Sequence, residues 1–470
     1  TINKSLIKPK DVTEREKGQK EEKYKVQTFP VPFALLEANP ETTFRTNICC
    51  NLSKEQIINQ AFKFNSKGNI KNAFKYYKYF INRGFIDHRV FSNYGSILKD
   101  HGKLEEAELY YRKAIKIKPD FAKAHYNLGC LLRDIGKLGE AESSTRNAIE
   151  IQTNFADAHN NLGNILKDLG KQEEAEINYT KAIKMKPNFS DALINRWQLF
   201  FDQGKFNLAL RDSDSCNTRR SRALSLVTLY ALGNIDEIYK RIEATAELDS
   251  KNIDIAAFSS FLLENEKRDT ANNFCKNPLS FLYFSNLKSH IKDYHQFIKE
   301  IIEELNDFPT IWQPRTTING FQTPTTINLF SKPSKYISHL KSIILNEINS
   351  YYIKFKHESC LFIQRWPTQK NLVGWYNILK KQGYQEAHIH PSGWLSGVIY
   401  LKVVPPLDKD EGAIKFSLNS TYYSHTNSKN LTYQPKLGDI VFFPSSLHHR
   451  TIPFSTDSDR IVLAFDLKPF

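Results

Sequence analysis

The sequence predicts a multidomain chain, in which an all-α repeat solenoid is followed by an α+β domain with an antiparallel β sandwich or barrel at its core. Three observations support this prediction. The 470 residues are too many for one ordinary hydrophobic core. Glycine recurs every 34 residues in the first half of the chain, and short β-type runs separated by turn residues fill the second half.

The composition is typical of a folded protein and excludes several functional classes. Hydrophobic residues make up 40% of the chain and aromatic residues 13%, which is enough for packed cores. The net charge is +14, but no dense arginine-rich stripe appears, so we expect no nucleic-acid partner. The six cysteines show no CxxC spacing, which argues against a zinc knuckle or a disulfide framework. The charged first residues and the lack of a long apolar run predict a cytoplasmic protein without membrane contact.

The 34-residue period predicts stacked pairs of helices. One set of glycines lies where the first helix of each pair turns into the second, at Gly68, Gly102, Gly136, Gly170 and Gly204. Such a turn favours positive φ, which glycine adopts freely. A second set, Gly95, Gly129 and Gly163, lies inside the first helix of each pair and permits the second helix to approach closely. A single pair cannot bury its own apolar face, whereas a stack of pairs can.

This stretch resembles the tetratricopeptide repeat, with its best copies between about 87 and 188. The resemblance implies a concave groove that binds a protein or peptide. The alternative is that the repeats only support or dimerise the next domain, so a homodimer stays open. His125 and His159 occupy equivalent repeat positions, and we expect them to be packing or surface residues.

We predict four segments in the chain. Residues 1–50 form a charged, partly disordered N-terminal segment, 51–222 the repeats, 223–274 an irregular helical continuation and linker, and 275–470 the second domain. In the second domain we expect helices over about 289–305 and 336–353. We expect strands in ESCLFIQRWP, WLSGVIYLKVV, GAIKFSL, GDIVFFP and RIVLAFDL.

Histidines at two remote places in the second domain predict a metal centre. In an extended chain, Glu386, His388 and His390 would face the same side. His449 follows 59 residues after His390, and neighbouring His448 would face the other way, towards solvent. Arg460 lies on the small-residue face of the last strand, beside Val462. Imidazoles that leave open positions suit ferrous iron, and a guanidinium suits a carboxylate such as that of 2-oxoglutarate.

The segments HIHPSGWLSGVIYL, GAIKF, LGDIVFFPSSLHHRTIP and DRIVLAFD resemble 2-oxoglutarate/Fe(II) oxygenases that follow tetratricopeptide repeats in bacterial proteins. The resemblance covers about 275–470 and implies a double-stranded β-helix (jelly-roll) core. It implies hydroxylation that uses Fe(II), O₂ and 2-oxoglutarate. His390 and His449 would bind iron, and Arg460 would bind the carboxylate of the cosubstrate. His388 shares a face with His390 and is the third candidate ligand.

The chain departs from the pattern of the wider superfamily at two positions. The carboxylate of the usual His-x-Asp/Glu motif is replaced by His390. The ligands are therefore three histidines, two histidines with water, or a set that includes Glu386. The usual Arg-x-Ser pair reads Arg460-Ile461-Val462, so a hydroxyl that would help to hold the cosubstrate is missing.

These observations predict a Fe(II)- and 2-oxoglutarate-dependent dioxygenase that hydroxylates a protein or peptide presented by the repeats. Proline, aspartate and asparagine are the residues that such an enzyme would modify. Two alternatives remain open. One is a cupin-type metal enzyme, although no glutamate follows the HxH motif within PSGWLSG. The other is a repeat scaffold or adaptor without enzymatic activity, in which the oxygenase fold is degenerate.

Overall fold

The computed structural model describes residues 52–312, 316–331 and 334–469. The predicted N-terminal segment, 1–50, lies outside the described residues. Residues Ser53–Phe470 form one compact unit. Among the described helices, none is long and apolar enough to span a lipid bilayer.

The first half of this unit is a solenoid of consecutive helices. Its first ten helices form five antiparallel pairs at the predicted period. They are α1 Lys54–Ser66, α2 Ile70–Asn82, α3 His88–Asp100, α4 Leu104–Ile117, α5 Ala122–Asp134, α6 Leu138–Ile151, α7 Ala156–Asp168, α8 Gln172–Met185, α9 Ser190–Asp202 and α10 Phe206–Ser215. The series continues with α11 Arg219–Ala231, α12 Ile235–Ala244 and α13 Ile253–Glu266.

The two sets of glycines have the roles that their period predicts. The five turn glycines adopt φ values between +69° and +78°. The helix-interior glycines lie against the second helix of their own pair. A Cβ atom on Gly163 would come within 2.6 Å of the Tyr179 ring, and one on Gly95 within 2.9 Å of the Tyr111 ring. His125 and His159 are buried and bond to Pro119 O and Asn178 Oδ1, so both are packing residues.

The second half is rich in β structure, and its described residues also form three α-helices. These are α14 Tyr294–Leu305, α15 Lys335–Phe355 and the short α16 Leu361–Gln364. The strands are β1 Tyr283–Asn286, β2 Ile311–Trp312, β3 Thr317–Gln322, β4 Asn371–Gln385, β5 Leu395–Lys402, β6 Ile414–Ser417, β7 Asn430–Tyr433, β8 Asp439–Pro444, β9 His448–Thr451 and β10 Arg460–Lys468.

The strands form two antiparallel sheets in a jelly-roll arrangement. The larger sheet has the order β1-β8-β5-β10-β4-β3-β2, and the smaller has the order β7-β6-β9. The sheets face each other, and Phe416 of β6 lies 5.1 Å from Phe443 of β8 between ring centroids. In the larger sheet, β10 lies between β4 and β5, with Val462 opposite both Asn377 and Tyr400. Inward-facing side chains of three central strands therefore line one space.

One predicted strand was wrong, and one strand of the structure was missed. The segment ESCLFIQRWP contains helix α16 and no strand, because its apolar residues Phe362 and Ile363 pack into the core from a helical turn. The longest described strand, β4, was not predicted. Polar residues interrupt its alternation near the end, where Gln382 takes φ of +59° and the pairing with β3 shifts register.

Helices α11 to α13 share a hydrophobic core with the jelly roll. Phe258 and Phe261 of α13 lie 4.9 and 4.6 Å from the Tyr423 ring, between centroids. The shared cluster includes Leu226, Val227, Ile238, Phe258, Phe261, Leu262, Val398, Phe416, Tyr423, Val441, Phe443 and Val462. Further contacts connect the earlier repeats to the same domain. Tyr422 donates a hydrogen bond to Gln198 Oε1 at 2.5 Å, and Thr326 donates to the carbonyl of Asp100.

Candidate metal centre

Three histidines from two remote segments meet inside the jelly roll. Ring nitrogens of His388, His390 and His449 all lie within 4.8 Å of one another. The backbone brings them together, because His388 and His449 exchange two N–H···O bonds of 3.1 Å each. His390 follows two residues later, where its N–H donates to the Ser445 carbonyl at 3.1 Å.

Each imidazole is oriented by a hydrogen bond at Nδ1. The acceptors are the Glu386 carbonyl for His388 at 2.7 Å and the Leu447 carbonyl for His449 at 3.3 Å. Since a carbonyl oxygen only accepts, Nδ1 carries the hydrogen and Nε2 keeps a free lone pair. This is the tautomer that a metal ligand requires, and the hydrogen bond at Nδ1 also fixes the plane of the ring.

His390 has a carboxylate partner that the sequence alone did not reveal. Its Nδ1 lies 2.6 Å from Oδ1 of Asp466, a buried residue of β10. The Ser396 hydroxyl donates to the same oxygen at 2.7 Å and contacts the Ser445 hydroxyl at 2.8 Å. A carboxylate behind a ligating histidine raises the basicity of the ring. The sequence carried one signal for Asp466, which follows Arg460 by six residues in the last strand. Residues separated by an even number share a face of a strand, so Asp466 could have been placed on the same face as Arg460.

The neighbouring histidines of β9 point to opposite sides, as their alternation predicts. Only His449 belongs to the cluster, whereas the ring of His448 packs against Tyr423 at 5.8 Å. The expectation that His448 faces solvent was wrong, because helix α13 and Tyr423 cover that side of the small sheet and leave His448 6% exposed. Burial lowers the pKa of His388 to about 4 and that of His449 well below its usual range. Both rings are therefore neutral at pH 7, which is the form that binds metals.

Glu386 does not join the histidines. Strand β4 ends at Gln385, so the extended conformation expected over 386–390 is reduced to one bridge at His388. The side chain of Glu386 is exposed, and its carboxylate is not part of the cluster of possible ligands among the described residues. The interpretation in which Glu386 supplies the carboxylate ligand is therefore not supported.

Arg460 is buried in the same pocket as the histidines. It is 2% exposed, and no carboxylate of a described residue pairs with it. Burial lowers the pKa of Arg460, yet a guanidinium is so basic that it stays charged at neutral pH. Its guanidinium carbon lies 5.1 Å from the centroid of the Tyr400 ring. A buried cation without a counter-ion is costly, so the pocket is suited to an anion.

The rest of the pocket combines apolar walls with unpaired polar atoms. Asn377 Oδ1, Tyr400 Oη and Arg460 Nε are buried and have no hydrogen-bond partner. Trp375 lies 5.4 Å from the His390 ring between centroids, so Trp375 and Asn377 contribute to the pocket while Trp394 packs in the core. The open space is about 30 Å³, room for roughly two water molecules. A metal ion fits this space, whereas a five-carbon dicarboxylate fits only if side chains move.

Comparison with protein families agrees with both halves of this architecture. Residues 374–466 match the family described as "Putative 2OG-Fe(II) oxygenase". Residues 95–136, 122–155 and 156–189 match three tetratricopeptide repeat families. No curated protein matches the chain.

Similar solved structures include three that each cover between 33% and 44% of the chain. MamA is 21% identical, with 38% of this chain and 96% of that chain covered and a TM-score of 0.31. PilF of Pseudomonas aeruginosa is 15% identical, with 44% of this chain and 97% of that chain covered and a TM-score of 0.38. YrrB, described as a TPR protein with an unusual peptide-binding site, is 19% identical, with 33% of this chain and 84% of that chain covered and a TM-score of 0.29. The chain thus combines a tetratricopeptide repeat solenoid with a C-terminal segment of the 2OG-Fe(II) oxygenase type.

Proposed function

We propose that this protein is a Fe(II)- and 2-oxoglutarate-dependent dioxygenase, and that it hydroxylates a protein or peptide in the cytoplasm. One observation carries the proposal. A cluster of three imidazoles shares a pocket with the buried guanidinium of Arg460, whose Nε has no hydrogen-bond partner. Metal and anion sites in one cavity are what binding of a 2-oxo acid requires. Arg460 also favours this activity over that of a cupin, for which the pocket would need no such cation.

In this proposal His388, His390 and His449 would hold the iron through Nε2. Bound ferrous iron with 2-oxoglutarate and dioxygen supplies hydroxylation of a C–H bond, with release of succinate and carbon dioxide. The protein contributes orientation and a dry site. Val398, Val462 and Phe443 are each under 10% exposed and form apolar walls that exclude bulk water.

The way in which the solenoid joins the jelly roll supports a macromolecular substrate. Helices α11 to α13 share its core, and the loop between β6 and β7 packs on α9 through Tyr422 and Trp197, 5.4 Å apart between ring centroids. A segment bound to the repeats would therefore stay at a fixed distance from the pocket. This raises its effective concentration at the iron, as any tethered site does.

The direct test is succinate formation by the purified full-length protein with Fe(II), 2-oxoglutarate and a peptide library. We expect peptide-dependent succinate in the wild type, loss of at least 100-fold in His449→Ala, and unchanged turnover in His425→Ala, which alters an exposed loop histidine. Anaerobic Fe(II) binding is measured in parallel. A protein that binds no iron, or whose iron binding survives His449→Ala, would overturn the proposal in favour of a repeat scaffold.

A further inference from the structure

Two cysteines that lie far apart in the chain meet where the solenoid passes into the jelly roll. Cys275 lies between helix α13 and strand β1, and Cys360 immediately precedes helix α16. The two backbones run side by side, because Phe362 N–H donates to the Phe274 carbonyl at 2.9 Å, and the residues before each of these are bonded in the same way at 3.0 Å. The two thiols are hydrogen-bonding neighbours.

The two thiols differ in their access to solvent. Cys275 is 2% exposed and belongs to the core under the larger sheet, whereas Cys360 lies at the edge of the same cluster and is partly exposed. A small oxidant can therefore reach one thiol from solvent, with the other directly behind it. Cys130 and Cys216, the other free cysteines among the described residues, have hydroxyl groups as their hydrogen-bond partners.

The pair divides the two roles that thiol oxidation requires. The hydrogen bond from Cys275 lowers the pKa of Cys360 to about 7, so close to half of this residue is thiolate at neutral pH. Burial raises the pKa of Cys275 well above its usual range, so this thiol keeps its proton. Since the thiolate is the form that attacks a peroxide, Cys360 reacts first and Cys275 follows.

We propose that Cys275 and Cys360 are a peroxide-sensitive dithiol, which forms a reversible disulfide within the folded protein. The Cys360 thiolate attacks one oxygen of hydrogen peroxide, the O–O bond breaks, and a sulfenic acid forms with release of hydroxide. Cys275 then attacks the sulfenic sulfur, the S–O bond breaks, and the departing hydroxyl takes the Cys275 proton and leaves as water. In sum, two thiols and one peroxide give one disulfide and two water molecules, and a dithiol reductant reverses the change.

The disulfide would tie the end of the solenoid to the layer that supports the metal centre. Phe274, next to Cys275, lies 4.9 Å from the Trp394 ring between centroids, and Trp394 Nε1 donates to the Phe362 carbonyl at 2.9 Å. Trp394 in turn belongs to the loop that carries His390. The assignment is independent of the proposed function, because it uses none of the candidate metal ligands. Disulfides in a reducing compartment are mostly transient and redox-sensing, which agrees with a reversible site.

The test follows the bond by mass spectrometry in the full-length protein. The reduced protein is freed of reductant without oxygen, treated at pH 7 with a few equivalents of hydrogen peroxide, quenched with N-ethylmaleimide and digested without reduction. We expect a cross-linked peptide pair that contains Cys275 and Cys360, lighter by two hydrogens than the free peptides together, and its loss after dithiothreitol.

Three variants identify the role of each thiol. Cys360→Ser should abolish the cross-linked pair, whereas Cys130→Ser, the matched control, alters a partly exposed thiol elsewhere and should leave the pair unchanged. Cys275→Ala should leave Cys360 as a sulfenic acid that reacts with dimedone, because the second thiol is missing.

Thermal unfolding shows whether the bond fits the native fold. The cross-link closes a loop of about 85 residues and restricts the unfolded chain, so the oxidised wild type should melt about 5 °C or more above the reduced protein. Dithiothreitol should reverse this rise, and Cys360→Ser should not show it. Peroxide treatment that leaves both thiols free, that drives Cys360 to sulfinic acid without a cross-link, or that gives a cross-linked protein of lower melting temperature would overturn the assignment.

Discussion

Replacing Asp466 by asparagine tests whether the carboxylate behind His390 prepares that ring for a metal. Asp466 Oδ1 accepts from His390 Nδ1 at 2.6 Å and from the Ser396 hydroxyl at 2.7 Å, and the residue is 5% exposed. Asparagine has nearly the same shape and can still accept both hydrogen bonds through its amide oxygen. The substitution therefore removes the negative charge and leaves the geometry of the pocket in place.

The expected size of the effect follows from these contacts. A hydrogen bond to a charged group contributes about 1.5 to 3 kcal/mol, and a neutral one about 0.5 to 1.5 kcal/mol. The His390 bond should therefore weaken by about 1 to 1.5 kcal/mol, which corresponds to roughly a tenfold loss of metal affinity. This agrees with the lower end of the 10- to 100-fold losses typical of residues behind metal ligands.

The assay is competition for Fe(II) against a chromophoric chelator under anaerobic conditions, with the melting temperature of the metal-free protein measured alongside. Asp457→Asn is the matched control, since Asp457 forms an exposed ion pair with Lys381 and neither residue lines the pocket. Such surface pairs contribute little. Metal affinity in Asp466→Asn that equals the wild-type value, with the fold intact, would refute the role given to this carboxylate.

Three further outcomes are expected. In denaturant titrations, Gly163→Ala should lower the free energy of unfolding by about 1 to 3 kcal/mol through overpacking. The control is Gly139→Ala, because a Cβ there meets nothing within 4 Å. It should leave the free energy of unfolding unchanged or raise it by up to about 1 kcal/mol. A hydrogen bond with a neighbouring thiol lowers the pKa of Cys360 to about 7, so its alkylation rate, mapped by mass spectrometry, should rise from pH 6 to 8 with a midpoint near 7. A fragment of residues 275–470 should fail to show cooperative thermal unfolding, whereas residues 218–470 should show it; equal behaviour of the two fragments would contradict the shared core.

The repeats could be predicted from the sequence because their signals are local. A glycine at a positive φ and a glycine under a neighbouring aromatic ring are each required by contacts within one 34-residue unit. Repetition of the unit then reveals the period, and with it the fold. The pairing of β4 with β3 and β10 depends instead on residues more than 50 positions away, and its local pattern is broken at Gln382.

The site was predicted in part for the same reason. His388 and His390 share a face because they are two residues apart, and alternation allows only one of His448 and His449 to reach the same centre. The resemblance to the oxygenase motifs then selected His449. Glu386 was placed with them only while the strand was assumed to continue, and the strand stops one residue earlier. Asp466 was not foreseen, because its role depends on β10 lying beside β5, a register that no short motif encodes.

Helix α13 explains why the solenoid and the jelly roll should be treated as one folding unit. Its residues Ile253 and Ala256 belong to the core under the larger sheet, while Phe258, Phe261 and Leu262 belong to the core shared with the jelly-roll interior. A helix that is apolar on every side is stable only when it is covered on every side. Full burial of a large apolar side chain contributes about 1.5 to 3 kcal/mol, so the last three residues alone contribute roughly 5 to 9 kcal/mol. This is comparable to the whole stability of a typical domain. Removing α13 by cutting at 274 would therefore expose the Tyr423 ring and, behind it, the side of the small sheet that carries His448.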